Sequence, residues 1–262
     1  MNDPFDPASV DSTMADLVKN LERRWGLTIV SLLPESAHAE CIAVQHEIAR
    51  LCGLEGTLGF RAGREYVEFQ EANQLHCTHL TLRRSDPQGP VAVTTLLKEG
   101  HELSELVDAV RDVTSRVSPI EVRLRELRVR SDGLGIVAVG ECADEASATA
   151  RRTLLSDLLG RLRQLCNLSP RSWDEDVSRY HLVHCALGFL KRGLPAGFAE
   201  FRHRLENQDL EISCEFSDIS IVHHRHRTLL SPHHGCVTFP MGEPTQTGAD
   251  ELARALNLED PQ

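Results

Sequence analysis

The feature that most constrains the fold is an order of strand and helix patterns that occurs twice along the chain. Short β-branched runs favour buried strands, and apolar residues three or four apart favour amphipathic helices. The first half has strand, helix, strand, helix and two strands, at residues 27–33, 35–53, 76–82, 102–117 and 120–140. The second half has helix, strand, helix and two strands, at residues 144–165, 180–190, 195–205, 210–217 and 219–230. We therefore expect an α+β fold of two pseudo-symmetric β-α-β-β lobes, with antiparallel sheets around a central groove.

The chain is expected to form one bilobed domain with loosely held ends. Its 262 residues, 41% of them apolar, are enough for a sizeable core. The domain is predicted at residues 14–241, with each lobe contributing one histidine motif and with a helix at residues 14–25. The polar ends, residues 1–13 and 242–262, are predicted to be flexible, although residues 250–256 have the pattern of a short helix.

Charge and cysteine usage exclude several classes of protein. With 28 basic against 39 acidic residues the net charge is -11, which repels long duplex nucleic acid unless the cations are gathered locally. The eight cysteines include no C-x-x-C pair, so the sequence contains no zinc-ribbon or thioredoxin-like motif. The N-terminus lacks the pattern of a signal peptide, and no apolar run approaches the ~18 residues of a membrane span. We expect a cytoplasmic protein with a small substrate and no membrane partner.

Two of the 13 histidines occupy equivalent places in the repeat. His79 heads the run HLTLRR and His184 heads HCALGFLKR, so each begins an apolar strand that is followed by two basic residues. Alternate residues of a strand share a face, which predicts Thr81 beside His79 and Ala186 beside His184. One histidine from each half would then line a common groove. Two imidazoles facing one substrate supply a general base and a general acid near neutral pH.

Another H-x-T triplet directly precedes the one at His79 and begins at His76. Its side chain is expected on the opposite face of the strand from His79. The triplet also has a polar residue where the core requires leucine. We therefore interpret His76, like His181, as a structural neighbour of the site.

The paired motifs, H-x-T-x at His79 and H-x-[ST]-x at His184, resemble the two-histidine (2H) phosphoesterase superfamily. This superfamily includes RNA 2′-5′ ligase-like proteins and 2′,3′-cyclic phosphodiesterases. The resemblance covers roughly residues 27–235, and it implies acid-base catalysis by both histidines, hydroxyl groups that hold the phosphate, and no metal or cofactor. His79, Thr81 and His184 match the pattern. Ala186 departs from it, because alanine offers no hydroxyl donor.

The resemblance implies a metal-independent hydrolase acting on a 2′,3′-cyclic phosphate, a 2′-5′ linkage or a related small nucleotide or RNA-end ester. Loss of one oriented donor to a developing phosphate charge costs about 10²-fold or more in rate. The departure at Ala186 therefore leaves a second interpretation open. In it, the chain is a catalytically degenerate nucleotide-binding sensor or adaptor.

Polar, basic and aromatic residues near the two motifs are the candidate substrate contacts. They are Thr81, Arg83, Tyr180, Lys191, Arg192, Arg225 and Arg227. The last two belong to a histidine-rich segment, residues 221–230, which has three interpretations: a solvated edge strand, a substrate-binding face, or part of a zinc site in an interaction protein. The zinc ligands would be His224, His226, His234 and Cys236, but their spacing fits no zinc pattern, and we predict no metal.

Overall fold

The computed structural model describes residues 25–52, 67–85, 91–129, 135–169, 175–190, 198–225, 228–229, 236–244 and 248–256. The strands are β1 (Trp25–Leu32), β2 (Val67–Phe69), β3 (His76–Ser85), β4 (Ile120–Val129), β5 (Gly135–Cys142), β6 (Leu182–Leu190), β7 (Ile212–Phe216), β8 (Asp218–Arg225), β9 (Thr228–Leu229) and β10 (Cys236–Pro240). The helices are α1 (Glu35–Leu51), α2 (Val93–Leu96), α3 (Leu103–Thr114), α4 (Glu145–Leu165), α5 (Phe198–Glu206) and α6 (Ala249–Leu256). Short 3₁₀ turns lie at Ala72–Gln74 and Val177–Arg179.

The helix that matters most for the site is α4. It begins after Asp144, whose carboxylate accepts a hydrogen bond of 2.7 Å from the backbone N–H of Ser147, as an N-cap residue should. Its buried stripe runs through Leu158 and Leu162 at helical spacing. The same stripe contains Arg151, which is fully buried although it is charged.

All described strands belong to one antiparallel sheet made of two groups of four. The strand order is β10-β8-β1-β3-β6-β5-β4-β7, with β2 beside β6 and β9 beside β8. In the middle, β3 meets β6 through one residue pair, Cys77 and Cys185. Helix α1 connects β1 to β3, and helix α4 connects β5 to β6, so the two groups are built alike. The predicted α+β fold with two related antiparallel lobes is confirmed.

The pairing of the remaining strands differs from the simple repeat. Strands β4 and β5 belong to the first half of the chain but lie in the group of β6, whereas β8 and β10 belong to the second half and lie in the group of β1. Each lobe is thus assembled from both halves of the chain. The two lobes do not correspond to two consecutive β-α-β-β segments. Periodicity identifies a strand but not its partner, since pairing depends on contacts distant in sequence.

The sheet curls strongly on the face that carries the core. Strands β7 and β8 lie far apart in the strand order, yet Ser217 alone joins them. Across the core, the ring of Phe216 on β7 lies edge-on to the ring of His79 on β3, with 6.1 Å between centroids. The buried apolar residues of this face and of the helices form a single large cluster.

The C-terminal segment contains a packed helix. Helix α6 lies against α3, β8 and β10, and its Leu252 is fully buried. The short helix expected at residues 250–256 therefore forms, and the flexibility expected from residue 242 onward does not apply to it. Residues 14–24 lie outside the described part of the chain. Among the described helices, none is long and apolar enough to cross a membrane.

Candidate active site

The two strands that meet in the middle of the sheet each carry a half-exposed histidine. Cys77 of β3 and Cys185 of β6 are fully buried on the core face. Neighbouring residues of a strand point to opposite faces, so the residues flanking both cysteines point away from the core. We call this surface the open face, and its central residues, all partly exposed, are His76, Thr78, His184 and Ala186.

The register at the junction brings the two histidines near each other. The antiparallel pairing of Cys77 with Cys185, continued by one residue in each direction, sets His76 opposite Ala186 and Thr78 opposite His184. His76 and His184 then occupy diagonal positions, which lie about 7–8 Å apart in a continuous antiparallel ladder. Two imidazoles at this separation are able to contact one phosphate group placed between them.

The tautomer of His76 is set by a backbone carbonyl. Its Nδ1 lies 2.7 Å from the carbonyl oxygen of Gln74, which belongs to the 3₁₀ turn directly before β3. A carbonyl only accepts, so Nδ1 carries the hydrogen in this bond, and the neutral ring keeps its lone pair on Nε2. The turn thus holds His76 as a group that takes up a proton at Nε2.

Apolar residues neighbour the two histidines on the open face, and the exposed Glu141 lies beside them, paired with Leu182. Leu32 of β1 is paired with His76, and Val139 of β5 is paired with His184. Leu182, two residues before His184 on the same strand, is 38% exposed, which is unusual for a leucine in this chain. A small ligand at the histidines therefore meets apolar side chains on both sides of its reacting group.

His79 points into the core, which overturns the prediction that it lines an open groove with Thr81. The register between β1 and β3 shifts at His79, between Thr78 and Leu80, as at a β-bulge. Alternation from Cys77 puts His79 on the core face, and the extra residue then puts Leu80 on the core face as well. Alternation counted back from Leu80 and Leu82 therefore assigns His79 to the wrong face. His79 is only 1% exposed.

Both ring nitrogens of His79 are hydrogen-bonded within the core. The hydroxyl of Ser31 donates to the carbonyl of Asp218 at 2.6 Å, so its oxygen accepts from Nε2–H of His79 at 2.8 Å. Nη1 of Arg151 donates to Nδ1 of His79 at 2.7 Å. Burial, followed by the charges of Arg151, His184 and His76, holds the pKa of His79 well below its usual range. His79 is a neutral core histidine.

Three other predicted contacts are also placed elsewhere. Tyr180 is 3% exposed and Thr81 is 2% exposed, so neither side chain is available to a ligand at the surface. The guanidinium of Arg83 donates to the carbonyl of Asn167 at 3.0 Å, in the segment after α4. Lys191, Arg192 and Arg227, with the side chain of Arg225, lie outside the described residues.

The histidine-rich segment is divided between the two faces of β8. His223 is buried and accepts a hydrogen bond of 3.2 Å from the backbone N–H of Val91. The ring of His224 lies directly over Gly26 of β1, where a Cβ atom would stand 2.4 Å from its Cε1. His226 and His234 lie outside the described residues, and within those that are described no cluster of three or more metal-ligating side chains is found.

The sequence contains a signal for the outward-facing histidine. His76-Cys77-Thr78 and His184-Cys185-Ala186 share the dipeptide His-Cys, and these cysteines form the residue pair at the junction. An alignment of the two halves on this dipeptide selects His76, whereas the alignment on apolar residues and following basic residues selected His79.

No protein-family model and no curated protein matches the chain. Among solved structures, TT0787 of Thermus thermophilus is 16% identical over 84% of this chain and 100% of that chain, with a TM-score of 0.47. LigT of Escherichia coli, solved with NADP+, and Usb1 of Kluyveromyces marxianus are each 12% identical over 84% of this chain and 99% of theirs, with TM-scores of 0.43. These identities are low and the TM-scores lie under 0.5, so the likeness does not extend beyond the fold.

Proposed function

We propose that His76, Thr78 and His184 on the open face form the active site of a metal-independent phosphoesterase. Its substrate is a 2′,3′-cyclic phosphate, a 2′-5′ linkage or a related small nucleotide or RNA-end ester. The observation that carries the proposal is the placement of two half-exposed histidines as diagonal neighbours across the β3–β6 junction. Two imidazoles supply a general base and a general acid near neutral pH without a metal ion.

The roles of the two histidines follow from the hydrogen bond of His76. Neutral His76, with Nδ1 bonded to Gln74, takes a proton from water at Nε2. The water oxygen forms a bond to phosphorus, and the bond from phosphorus to the leaving ribose oxygen breaks. Protonated His184 gives its proton to that leaving oxygen. The hydroxyl of Thr78 donates to a non-bridging phosphate oxygen as negative charge develops there.

The size of the substrate is limited by charge and by the surroundings of the site. The net charge of -11 opposes the approach of a long polyanion. The neighbours of the histidines on the open face, Leu32, Val139 and the exposed Leu182, provide apolar contacts of the kind a nucleobase or sugar makes. A mononucleotide or a single RNA end suits such a site better than a duplex.

The test replaces His76 and His184 separately by glutamine and measures hydrolysis of the four 2′,3′-cyclic nucleotides and of RNA ending in a cyclic phosphate. Each replacement is expected to lower kcat by about 10²–10⁴-fold, the range for loss of a general acid or base. The matched control is His101→Gln, at a surface histidine paired with Glu105 at the start of α3. Turnover that survives in both His76→Gln and His184→Gln contradicts the proposal.

One observation favours a second function, that of a nucleotide-binding sensor or adaptor without turnover. Ala186 stands opposite His76, in the place where a hydroxyl would complete the symmetry with Thr78. With one donor fewer, a phosphate is held but its developing charge is less stabilised. Saturable binding of a cyclic nucleotide by the unmodified protein, with no product formed, selects this function over hydrolysis.

A further inference from the structure

Arg151 is a fully buried cation without an anionic partner among the described residues. Its Nη1 donates to Nδ1 of His79 at 2.7 Å, and its Nη2 donates to the carbonyl of Leu182 at 2.9 Å. Its Nε is buried and has no hydrogen-bond partner within the described ranges. Burial lowers the pKa of Arg151, and the other titratable groups that act on this pKa are the thiols of Cys142 and Cys77 and the phenol of Tyr180, none of which is a carboxylate. A buried charge without a counter-ion is costly, so the contacts that Arg151 makes call for an explanation.

The position of Arg151 supplies that explanation. In the described residues, β3 and β6 pair only at Cys77 and Cys185. His79 lies two residues after Cys77 on β3, and Leu182 lies three residues before Cys185 on β6. Because the strands are antiparallel, both partners of Arg151 lie on the same side of the cysteine pair. The guanidinium therefore bridges the two strands where their own ladder of hydrogen bonds ends.

These contacts lie next to the site. His79 follows Thr78, and Leu182 is two residues from His184 along β6. We propose that Arg151 is a positioning residue, which sets the distance between His76 and His184 by clamping His79 of β3 to the Leu182 carbonyl of β6. This inference rests on the proposed function for its catalytic consequence, but the clamp itself is independent of any reaction. The geometry of the junction would then depend on a residue of α4 and not on the strands alone.

The clamp depends on the shape of the guanidinium as well as on its charge. Arginine presents several N–H donors in a rigid planar fork, whereas lysine has one compact ammonium group. Lysine at position 151 keeps the charge but does not bridge a ring nitrogen on one strand and a carbonyl on the other. Arg151→Lys therefore separates a positioning role from a purely electrostatic one.

The first test measures backbone hydrogen exchange and needs no turnover. In Arg151→Lys and Arg151→Gln, amides at residues 76–80 and 182–186 are expected to exchange about tenfold faster or more, with β8 and β10 unchanged. The matched control is Arg152→Gln, the next residue of α4, which is exposed and lies 3.6 Å from Glu145. Exchange that is unaltered, or that rises uniformly over the sheet, overturns the clamp.

A second variant keeps the clamp testable if the Arg151 variants do not fold. His79→Phe keeps an aromatic ring beside Phe216 and removes the acceptor for Nη1 of Arg151. The same local increase in exchange is expected at residues 76–80. Its absence in folded His79→Phe overturns the proposal.

The third test is kinetic and separates failure of the clamp from failure of the proposed function. With 2′,3′-cyclic AMP, Arg151→Lys is expected to lower kcat about tenfold or more and to change KM less than about threefold. In a protein that already carries His76→Gln, Arg151→Lys should lower kcat little further, because Arg151 acts through His76 and His184. Full additivity, or a change in KM alone, overturns the positioning role. If hydrogen exchange rises locally as expected in the Arg151 variants but the unmodified protein hydrolyses no substrate, the clamp is retained and the phosphoesterase function is rejected.

Discussion

Cys77 and Cys185 face each other at the only described pairing between β3 and β6, and each directly follows a histidine. Because the two cysteines point into the core, the two histidines point to the open face, at diagonal positions of the same junction. An approximate two-fold axis thus passes between Cys77 and Cys185, which take no part in the proposed chemistry. Their importance is that they set the register in which His76 and His184 meet.

Restoring a hydroxyl at position 186 is expected to raise activity. Ala186→Thr puts a hydroxyl donor opposite His76, in the position equivalent to that of Thr78 opposite His184. With this additional donor to the phosphate, kcat should rise about tenfold or more. Ala186→Val has nearly the same shape without the hydroxyl and serves as the matched control. Steady-state hydrolysis of cyclic nucleotides compares the two. Equal effects of threonine and valine would show that shape, and not the donor, matters at this position.

The two adjacent H-x-T triplets, at His76 and at His79, make opposite predictions for their threonines. Thr78 is partly exposed beside the histidines, whereas Thr81 is 2% exposed and is paired with Thr28 of β1. Thr78→Val should lower kcat about 10²-fold, since it removes the hydroxyl that donates to phosphate. Thr81→Val should lower it far less. A larger loss at Thr81 than at Thr78, measured on folded proteins, would return the site to the triplet that begins at His79.

The buried, neutral His79 should make stability depend on pH. Its pKa in the folded protein lies well below the ordinary value, so below about pH 6.5 the unfolded chain binds a proton that the folded protein does not. The free energy of unfolding contributed by this group is fully present above about pH 6.5 and falls by about 1.4 kcal/mol per pH unit below it, until the pKa of the folded state is reached.

Urea unfolding of the unmodified protein and of His79→Gln between about pH 5 and 8 measures this dependence. The glutamine amide is able to accept from Arg151 and donate to Ser31, but it does not titrate. The two stability profiles should converge as the pH falls below about 6.5, because only the histidine protein loses stability through this group. Profiles that stay parallel over the whole range would contradict the assignment.

Two glycines are expected to respond in opposite ways to alanine. A Cβ at Gly140 of β5 would stand 1.8 Å from the backbone oxygen of Arg123. A backbone atom, unlike the end of a flexible side chain, does not move away at low cost. Gly140→Ala should therefore destabilise the protein by about 3 kcal/mol or more. Gly160, within α4, has nothing within 4 Å of that position, and Gly160→Ala should stabilise by about 0.5–1 kcal/mol. Thermal unfolding of both variants tests the close approach of β4 to β5.

Secondary structure could be predicted from local pattern where one face of an element is buried. Helix α4 was expected at residues 144–165 and is found at Glu145–Leu165, because its capping residue and its apolar stripe are both visible in the sequence. Strand pairing could not be predicted in the same way. The placement of β4 beside β7 in one lobe and β8 beside β1 in the other depends on contacts between distant segments.

The candidate site was predicted in part. His184 is found on a half-exposed strand position, as expected, whereas the choice of His79 over His76 was wrong about which side chain faces outward. Arg151 was not singled out at all, since a charged residue inside a helix pattern is ordinarily solvated. Its burial follows from the tertiary structure, in which α4 packs across β3 and β6.

Local sequence pattern predicts most helices and strands of this protein, their doubled order, and the two strands on which a histidine recurs. Which of the two adjacent H-x-T triplets has its histidine facing outward depends on how the strands pair in three dimensions. The physical reason is the register shift between β1 and β3 at His79. Alternation assigns faces in an unbroken strand, but one extra residue reverses the assignment, and the extra residue is defined only by the neighbouring strand.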